Sequence, residues 1–247
     1  MSICESFWKL AIIPVYNEVG TIGKVLSKFE DHVVDEICLV VDRPTENILR
    51  EIDRAGGGLK IPIHVIKNPN RMGIGYAIRE GIEYAIDHKY DIVVVMAGNN
   101  KDDPREIPRL LAPIEQGCDY VQGSRFLAGG KHVKNPILRR MFSRLYPFIW
   151  TLFTGVFCTD VTNGFRAYRT RIFEDGRINI WQRWLDGYAL EYYIHYKVLT
   201  SGYEMKEVPV SKLYPYSHKG GYSKIYPLRD WWQIIGPLIY LGLGVRK

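Results

Sequence analysis

The chain has 247 residues, of which 47% are hydrophobic and 24% charged, with a net charge of +6. That length suits one large α/β domain or a domain with an appendage, and that composition argues against a mainly disordered chain. Four scattered cysteines (Cys4, Cys38, Cys118 and Cys158) lack CxxC or Cys/His ligand spacing, so they read as small buried hydrophobes of a reducing compartment.

The first apolar run, "LAIIPV", is too short for a secretory signal and has no cleavage pattern. Strands are predicted at "KLAIIPV" (9–15), "EICLVV" (36–41), "IPIHVIK" (61–67) and "DIVVVM" (91–96). Their near-continuous apolarity fits strands buried on both faces. Helices are predicted between them, over about 19–30, 45–55 and 74–88. A further helix over about 105–116 leads to a fifth strand, "CDYVQG". Strand alternating with helix means βαβ units and a doubly wound sheet. Ligands of such sheets sit beyond the carboxyl ends of the strands. Polar groups collect at three of those ends: Tyr16, Asn17 and Glu18; Asp42 and Arg43; and Gly98 to Asp103.

The second half differs. Residues 136–157 join an Arg-rich start to a mostly apolar body, and residues 231–245 are similarly apolar. The apolar body of the first, 13 residues, and the 15 residues of the second are each shorter than the roughly 20 apolar residues of a membrane span, and each contains a proline. They are read either as helices lying in a membrane interface or as core helices. Residues 1–126 carry a net charge of −4 and residues 127–247 a net charge of +10. That split suggests an anionic partner: phosphate groups, a membrane surface or nucleic acid. No helix-turn-helix, zinc or RNA-binding signature accompanies the charge, so nucleic acid is set aside.

Taken in order, several motifs resemble the family 2 glycosyltransferases of the GT-A fold, of the dolichyl-phosphate mannose synthase type. They are "IIPVYNE" (12–18), "LVVD" (39–42), "NRMGIGYAIREGI" (70–82), "VQGSRF" (121–126), "TDVTNGFRAYR" (159–169) and "EVPV…KGGYSK" (207–224). The resemblance implies an α/β, Rossmann-like, mostly parallel sheet flanked by helices, with C-terminal interfacial helices. Residues 1–230 would form the transferase domain, split into a nucleotide-binding half (1–126) and an acceptor half (127–230), with 231–247 as an apolar tail. The implied activity moves a sugar from a nucleoside-diphosphate sugar to a polyprenyl phosphate, with inversion and with Mg²⁺ or Mn²⁺. The expected location is cytoplasmic, peripheral at the inner membrane face. A glycan or lipid-linked saccharide hydroxyl is the alternative acceptor, and an inactive scaffold on the same fold is the alternative class.

Implied donor contacts are Pro14, Tyr16, Asn17, Glu18, Asp42, Arg71, Gly98, Asn99, Arg166, Lys219 and Ser223. Asp42 is read either as a partner of the base or ribose or as a turn cap. The chain departs from the family at its Asp-x-Asp, where Ala97 and Asn99 stand instead. An amide oxygen from Asn99 still ligates a hard cation, and Asp102 or Asp103 would restore the missing charge if the loop re-forms. Asp103 is equally read as a helix cap. The leaving diphosphate needs cations, for which Arg125, Arg166, Lys219 and Lys224 are candidates. A hydroxyl acceptor needs a base, for which Asp186 and Glu191 are candidates. An anionic lipid phosphate needs cations instead, for which Arg139, Arg140 and Arg144 are placed.

Overall fold

The computed structural model describes residues 7–133, 137–214 and 231–246. Strands β1 (Lys9–Val15), β2 (Glu36–Asp42), β3 (Ile63–Asn68) and β4 (Ile92–Val95) run parallel, linked by helices α1 (Ile22–Leu26), α2 (Glu46–Gly56) and α3 (Ile74–Asp87). Then follow α4 (Ile107–Glu115), β5 (Tyr120–Ser124), β6 (Lys131–Val133), α5 (Ile137–Thr154), β7 (Arg166–Arg169), α6 (Ala189–Thr200), β8 (Met205–Pro209), β9 (Ser211–Leu213) and α7 (Trp231–Gly242). Seven strands form one sheet in the order β3-β2-β1-β4-β7-β5-β8, and β6 pairs with β9 apart from it. Only β7 opposes its neighbours. It brings the residues before Arg166 to the edge where the parallel strands end.

The apolar runs fold as strands because both faces are covered. Ala11, Ile13 and Val15 pack with side chains of α1, α2 and α4, while Leu10 and Ile12 pack with those of α3 and α6. Each such side chain contributes roughly 1.5–3 kcal/mol by leaving water. Helices expected over 45–55 and 74–88 appear as α2 and α3, the first capped by the Thr45 hydroxyl. The helix expected over 19–30 shrinks to five residues. Gly20 sits at φ +83°, and Glu51 of α2 accepts from the N–H groups of Gly20 and Gly23 at 2.6 and 2.8 Å. That start is fixed by another helix and leaves no local mark. The helix expected from 105 begins as a 3₁₀ turn, Pro104–Glu106, before α4.

Both apolar segments of the second half are helical. Tyr146 and Trp150 of α5, Tyr192 of α6, and Ile234 and Leu238 of α7 share a third core cluster. The opposite face of α5 exposes Ile137, Met141, Leu145, Phe148, Ile149 and Leu152, the last at 84%. Among the described residues no helix is long and apolar enough to cross a membrane. Cys38, Cys118 and Cys158 are free and buried, and burial pushes the Cys38 thiol up to about 12, so it is inert near neutrality. Cys4 lies outside the described residues.

His195 of α6 is fully buried. Its Nδ1 pairs with the Tyr120 hydroxyl at 2.9 Å, and the Trp150 ring lies 5.2 Å away. Burial, and then the Arg166 charge, hold it neutral, well below its ordinary titration range. Below about pH 6.5 the unfolded chain therefore takes up a proton that the folded chain refuses. Stability is expected to fall as the pH drops through that range, by up to about 1.4 kcal/mol per pH unit. Urea midpoints between pH 7 and 5 check this: the decline should be shallower in His195→Gln by one proton's slope. Equal slopes would contradict it.

Candidate functional site

Three loops leave the carboxyl ends of β1, β2 and β4. Each holds a non-glycine residue in left-handed backbone: Asn17 (φ 53°), Arg43 (φ 50°) and Asn100 (φ 58°). Such residues are costly in isolation and gather where a site over-determines the backbone. Between the first two loops lies a cavity of about 390 Å³, lined by Tyr16, Asn17, Asp42, Arg43, Pro44 and Ile48 among others. The Arg71 guanidinium stacks 4.6 Å from the Tyr16 ring centroid.

Asp42 lines this cavity but is itself bonded. It accepts from the N–H groups of Met72 and Gly73 at 2.9 and 3.0 Å and from Asn68 Nδ2 at 3.1 Å. It thus ties β2 to the start of α3. The Glu18 carbonyl accepts from Thr21 and Ile22 and opens α1. Gly98 packs closely on Pro14, whose carbonyl would lie 3.2 Å from a Cβ there. The first and fourth strand ends are therefore in contact.

The loop after β4 closes on Asp102. This side chain, 1% exposed, accepts from the Ala97 N–H at 3.1 Å and pairs with Lys212 at 2.7 Å. Asp103 caps the following turn and pairs with Arg105. Both carboxylates suggested as metal ligands are thus engaged. Asn99 differs, for its Oδ1 is buried and has no partner among the described residues. No group of three or more His, Cys, Asp or Glu converges as metal ligands would among those residues.

Arg125 and Arg166, expected to face a leaving diphosphate, turn inward. Arg125 is 3% exposed and binds Asp160 through Nε and Nη2, with Tyr214 and Thr162 as further acceptors. Burial pushes the Asp160 carboxyl up, but Arg125 and its hydrogen bonds hold it below the usual range. Arg166 donates to the carbonyls of Asn163, Val161 and Glu191. These bonds consume the guanidiniums in fixing the 160–166 segment. Sequence separations of 35 and 25 residues for the Asp160 and Glu191 contacts hide both roles from the sequence.

Asp186 sits against the start of α3. A Cβ on Gly75 would overlap the carbonyl oxygens of Leu185 and Gly187, and one on Gly73 that of Asp186. The Gly-x-Gly pair therefore admits a loop beside the helix, while Gly81 lets α3 pack closely on Ile12 of β1. The Tyr76 N–H donates to the Asp186 carbonyl at 3.0 Å, and Arg79 holds the Asp186 carboxylate, which stays 38% exposed. Glu191 lies at the same edge, its Oε1 2.6 Å from where a Cβ on Gly164 would fall. His195, one turn on, faces Tyr120.

Arg140 and Arg144 are exposed on α5, and Arg144 lies over the Phe126 ring at 5.4 Å. The Arg139 side chain, Lys219, Ser223 and Lys224 lie outside the described residues. Sequence reading missed Lys212, Asn163, Asp160 and Arg79, each of which acts through a partner distant in the chain.

A family model described as "Glycosyl transferase family 2" matches residues 10–177. An undecaprenyl-phosphate mannosyltransferase from Micrococcus luteus is 30% identical over 82% of this chain and 82% of its own. A polyprenol monophosphomannose synthase from Mycolicibacterium smegmatis is 26% identical over 82% of this chain and 76% of its own. Among solved structures, glucosyl-3-phosphoglycerate synthase from Mycobacterium tuberculosis, with Mn²⁺, UDP and its glucosylated product, gives a TM-score of 0.64. It is 16% identical over 98% of this chain and 82% of that one, a likeness that shows the GT-A fold. The family match spans β1 to β7 and every strand-end loop described above, and the chain belongs to the family 2 glycosyltransferases.

Proposed function

We propose that the chain transfers a sugar, with inversion, from a nucleoside-diphosphate donor to a polyprenyl phosphate at the inner face of a membrane. One observation carries the acceptor reading. A bare apolar face of α5 lies beside exposed Arg140 and Arg144, in a chain whose named relatives act on undecaprenyl phosphate and polyprenol. Such a helix suits an anionic bilayer surface, where its arginines meet lipid phosphate. Residues up to 126 form the donor half in this reading, and those from 127 the acceptor half.

The nucleoside occupies the cavity between the first two strand ends, with Tyr16 and Arg71 as its rim. A divalent ion, Mg²⁺ or Mn²⁺, fits the donor loop through the unpartnered Asn99 oxygen. One neutral protein oxygen suffices when diphosphate oxygens and water complete the shell. Bound there, the ion supplies charge neutralisation for the leaving diphosphate. Asn99 orients it, the buried Gly98 keeps side chains out of the way, and Asp102 holds the loop's shape. Lys219, Ser223 and Lys224 remain proposed contacts of the diphosphate, while Arg125 and Arg166 hold the 160–166 segment.

A lipid phosphate is already anionic and needs no base. Asp186→Asn is therefore expected to keep turnover on polyprenyl phosphate within about threefold of the parent chain. A loss on the order of 10²-fold or more would point to a saccharide hydroxyl acceptor and to Asp186 as its base.

The missing Asp-x-Asp carboxylates favour a second reading, a binding protein without catalysis. Calorimetric titration with UDP, GDP and CDP, each with Mn²⁺ and with EDTA, tests the donor site. Binding of one nucleotide that weakens in EDTA is the expected outcome. Binding of none would sink the transferase reading.

A further inference from the structure

Lys212, in the middle of β9, has a side chain only 13% exposed. Its ammonium donates to Asp102 Oδ1 at 2.7 Å and to Asn163 Oδ1 at 2.9 Å. Both acceptors are anchored. Asp102 uses its other oxygen on the Ala97 N–H, and Asn163 donates through Nδ2 to the Gly123 carbonyl at 2.9 Å. The register Val95↔Arg166 brings the segments carrying these two residues to one sheet edge. A carboxylate oxygen and an amide oxygen from separate elements thus converge on one cation, at the base of the loop that carries Asn99. This is the oxygen chemistry of a hard-metal site, occupied by a side chain.

We propose that Lys212 is a tethered cation of the donor site, filling between Asp102 and Asn163 the place where a divalent ion would otherwise be held. The ion then enters only together with the donor's diphosphate, on Asn99. The inference rests on the donor-site reading above. Asn99 alone offers one uncharged oxygen, too little to hold Mg²⁺ or Mn²⁺ against water. The carboxylate that would make the empty site metal-ready is already satisfied. Lys212 also keeps Asp102 from being a buried, unpaired charge, so the loop holds its shape with no ion present.

Mn²⁺ binding, followed by electron paramagnetic resonance with and without UDP, tests this in the parent chain, Lys212→Met and Lys212→Met/Asp102→Asn. The parent chain should take up Mn²⁺ only with UDP. Lys212→Met should take it up without nucleotide, at least about tenfold more tightly than the parent, because a charged ligand is freed. Added Mn²⁺ should raise the melting temperature of Lys212→Met and leave that of the double variant unchanged. A folded Lys212→Met that binds no Mn²⁺ alone overturns the proposal, as does nucleotide-free binding by the parent as tight as the variant's. Should Lys212→Met fold only when Mn²⁺ is supplied, the proposal stands; if Mn²⁺ cannot rescue its folding, the proposal falls. Absence of UDP binding to the parent sinks the donor-site reading alone, since the nucleotide-free comparison does not depend on it.

Discussion

Replacing Arg125 by alanine is expected to cost about 3–5 kcal/mol of folding stability. The guanidinium is 3% exposed and its partner Asp160 is fully buried, so solvent screening does not weaken the pair. Removing the cation leaves a carboxylate in a place where burial already pushes it towards protonation. Its other support, the N–H groups of Arg125 and Thr162 and the Thr162 hydroxyl, cannot replace a charge. The loss also removes one hydrogen bond accepted by the Tyr214 hydroxyl, next to the end of β9. Urea unfolding measures the effect directly. A cost below about 1 kcal/mol, with weakened donor binding, would instead restore Arg125 to the cleft as a phosphate ligand.

Although the Asp186 carboxylate is dispensable as a base on the lipid-phosphate reading, Gly75→Ala is expected to lower turnover by about 10²-fold, because it displaces a stretch of backbone in the proposed acceptor half and not one side chain, while leaving nucleotide affinity within a few-fold. The added methyl has nowhere to go, because carbonyls of Leu185 and Gly187 already occupy its position. Carbonyl oxygens on a connected backbone do not swing aside as a side-chain tip does. The 185–187 segment must therefore move, taking with it Asp186 and the start of α6, including Glu191. Displacements near 1 Å suffice for a loss of that size. The residues lining the cavity proposed for the nucleoside are not among those that the added methyl would meet. Steady-state kinetics beside a nucleotide titration separates the two effects. Unchanged turnover would mean that the 185–187 segment takes no part in transfer.

Much of the first half of the chain was legible because its information is local. Continuous Val and Ile runs such as 91–96 give strands buried on both sides, and the polar residues after them give a site at one edge. Thr45 marks the start of α2 by a hydroxyl cap on an N–H three residues on. What failed was long-range. Glu51 ends the freedom of α1 from 31 residues away, and Lys212 reaches Asp102 across 110. Arg125 and Arg166 looked like phosphate ligands because arginine has the same composition inside as outside. Only their partners, Asp160 and three carbonyls, show that the charge is spent internally. The apolar segments posed the reverse difficulty. Helix α5 proved to be both core and surface, burying Tyr146 and Trp150 while exposing Leu145 and Leu152.

The most direct test supplies the purified chain with polyprenyl phosphate in anionic vesicles, Mn²⁺ or Mg²⁺, and a panel of UDP- and GDP-sugars. Mass spectrometry of the organic extract reads the product. One sugar nucleotide should yield a polyprenyl-phosphate monosaccharide of inverted anomeric configuration, and the unphosphorylated polyprenol should yield none. Transfer to a saccharide hydroxyl, with none to the lipid phosphate, would contradict the proposed function.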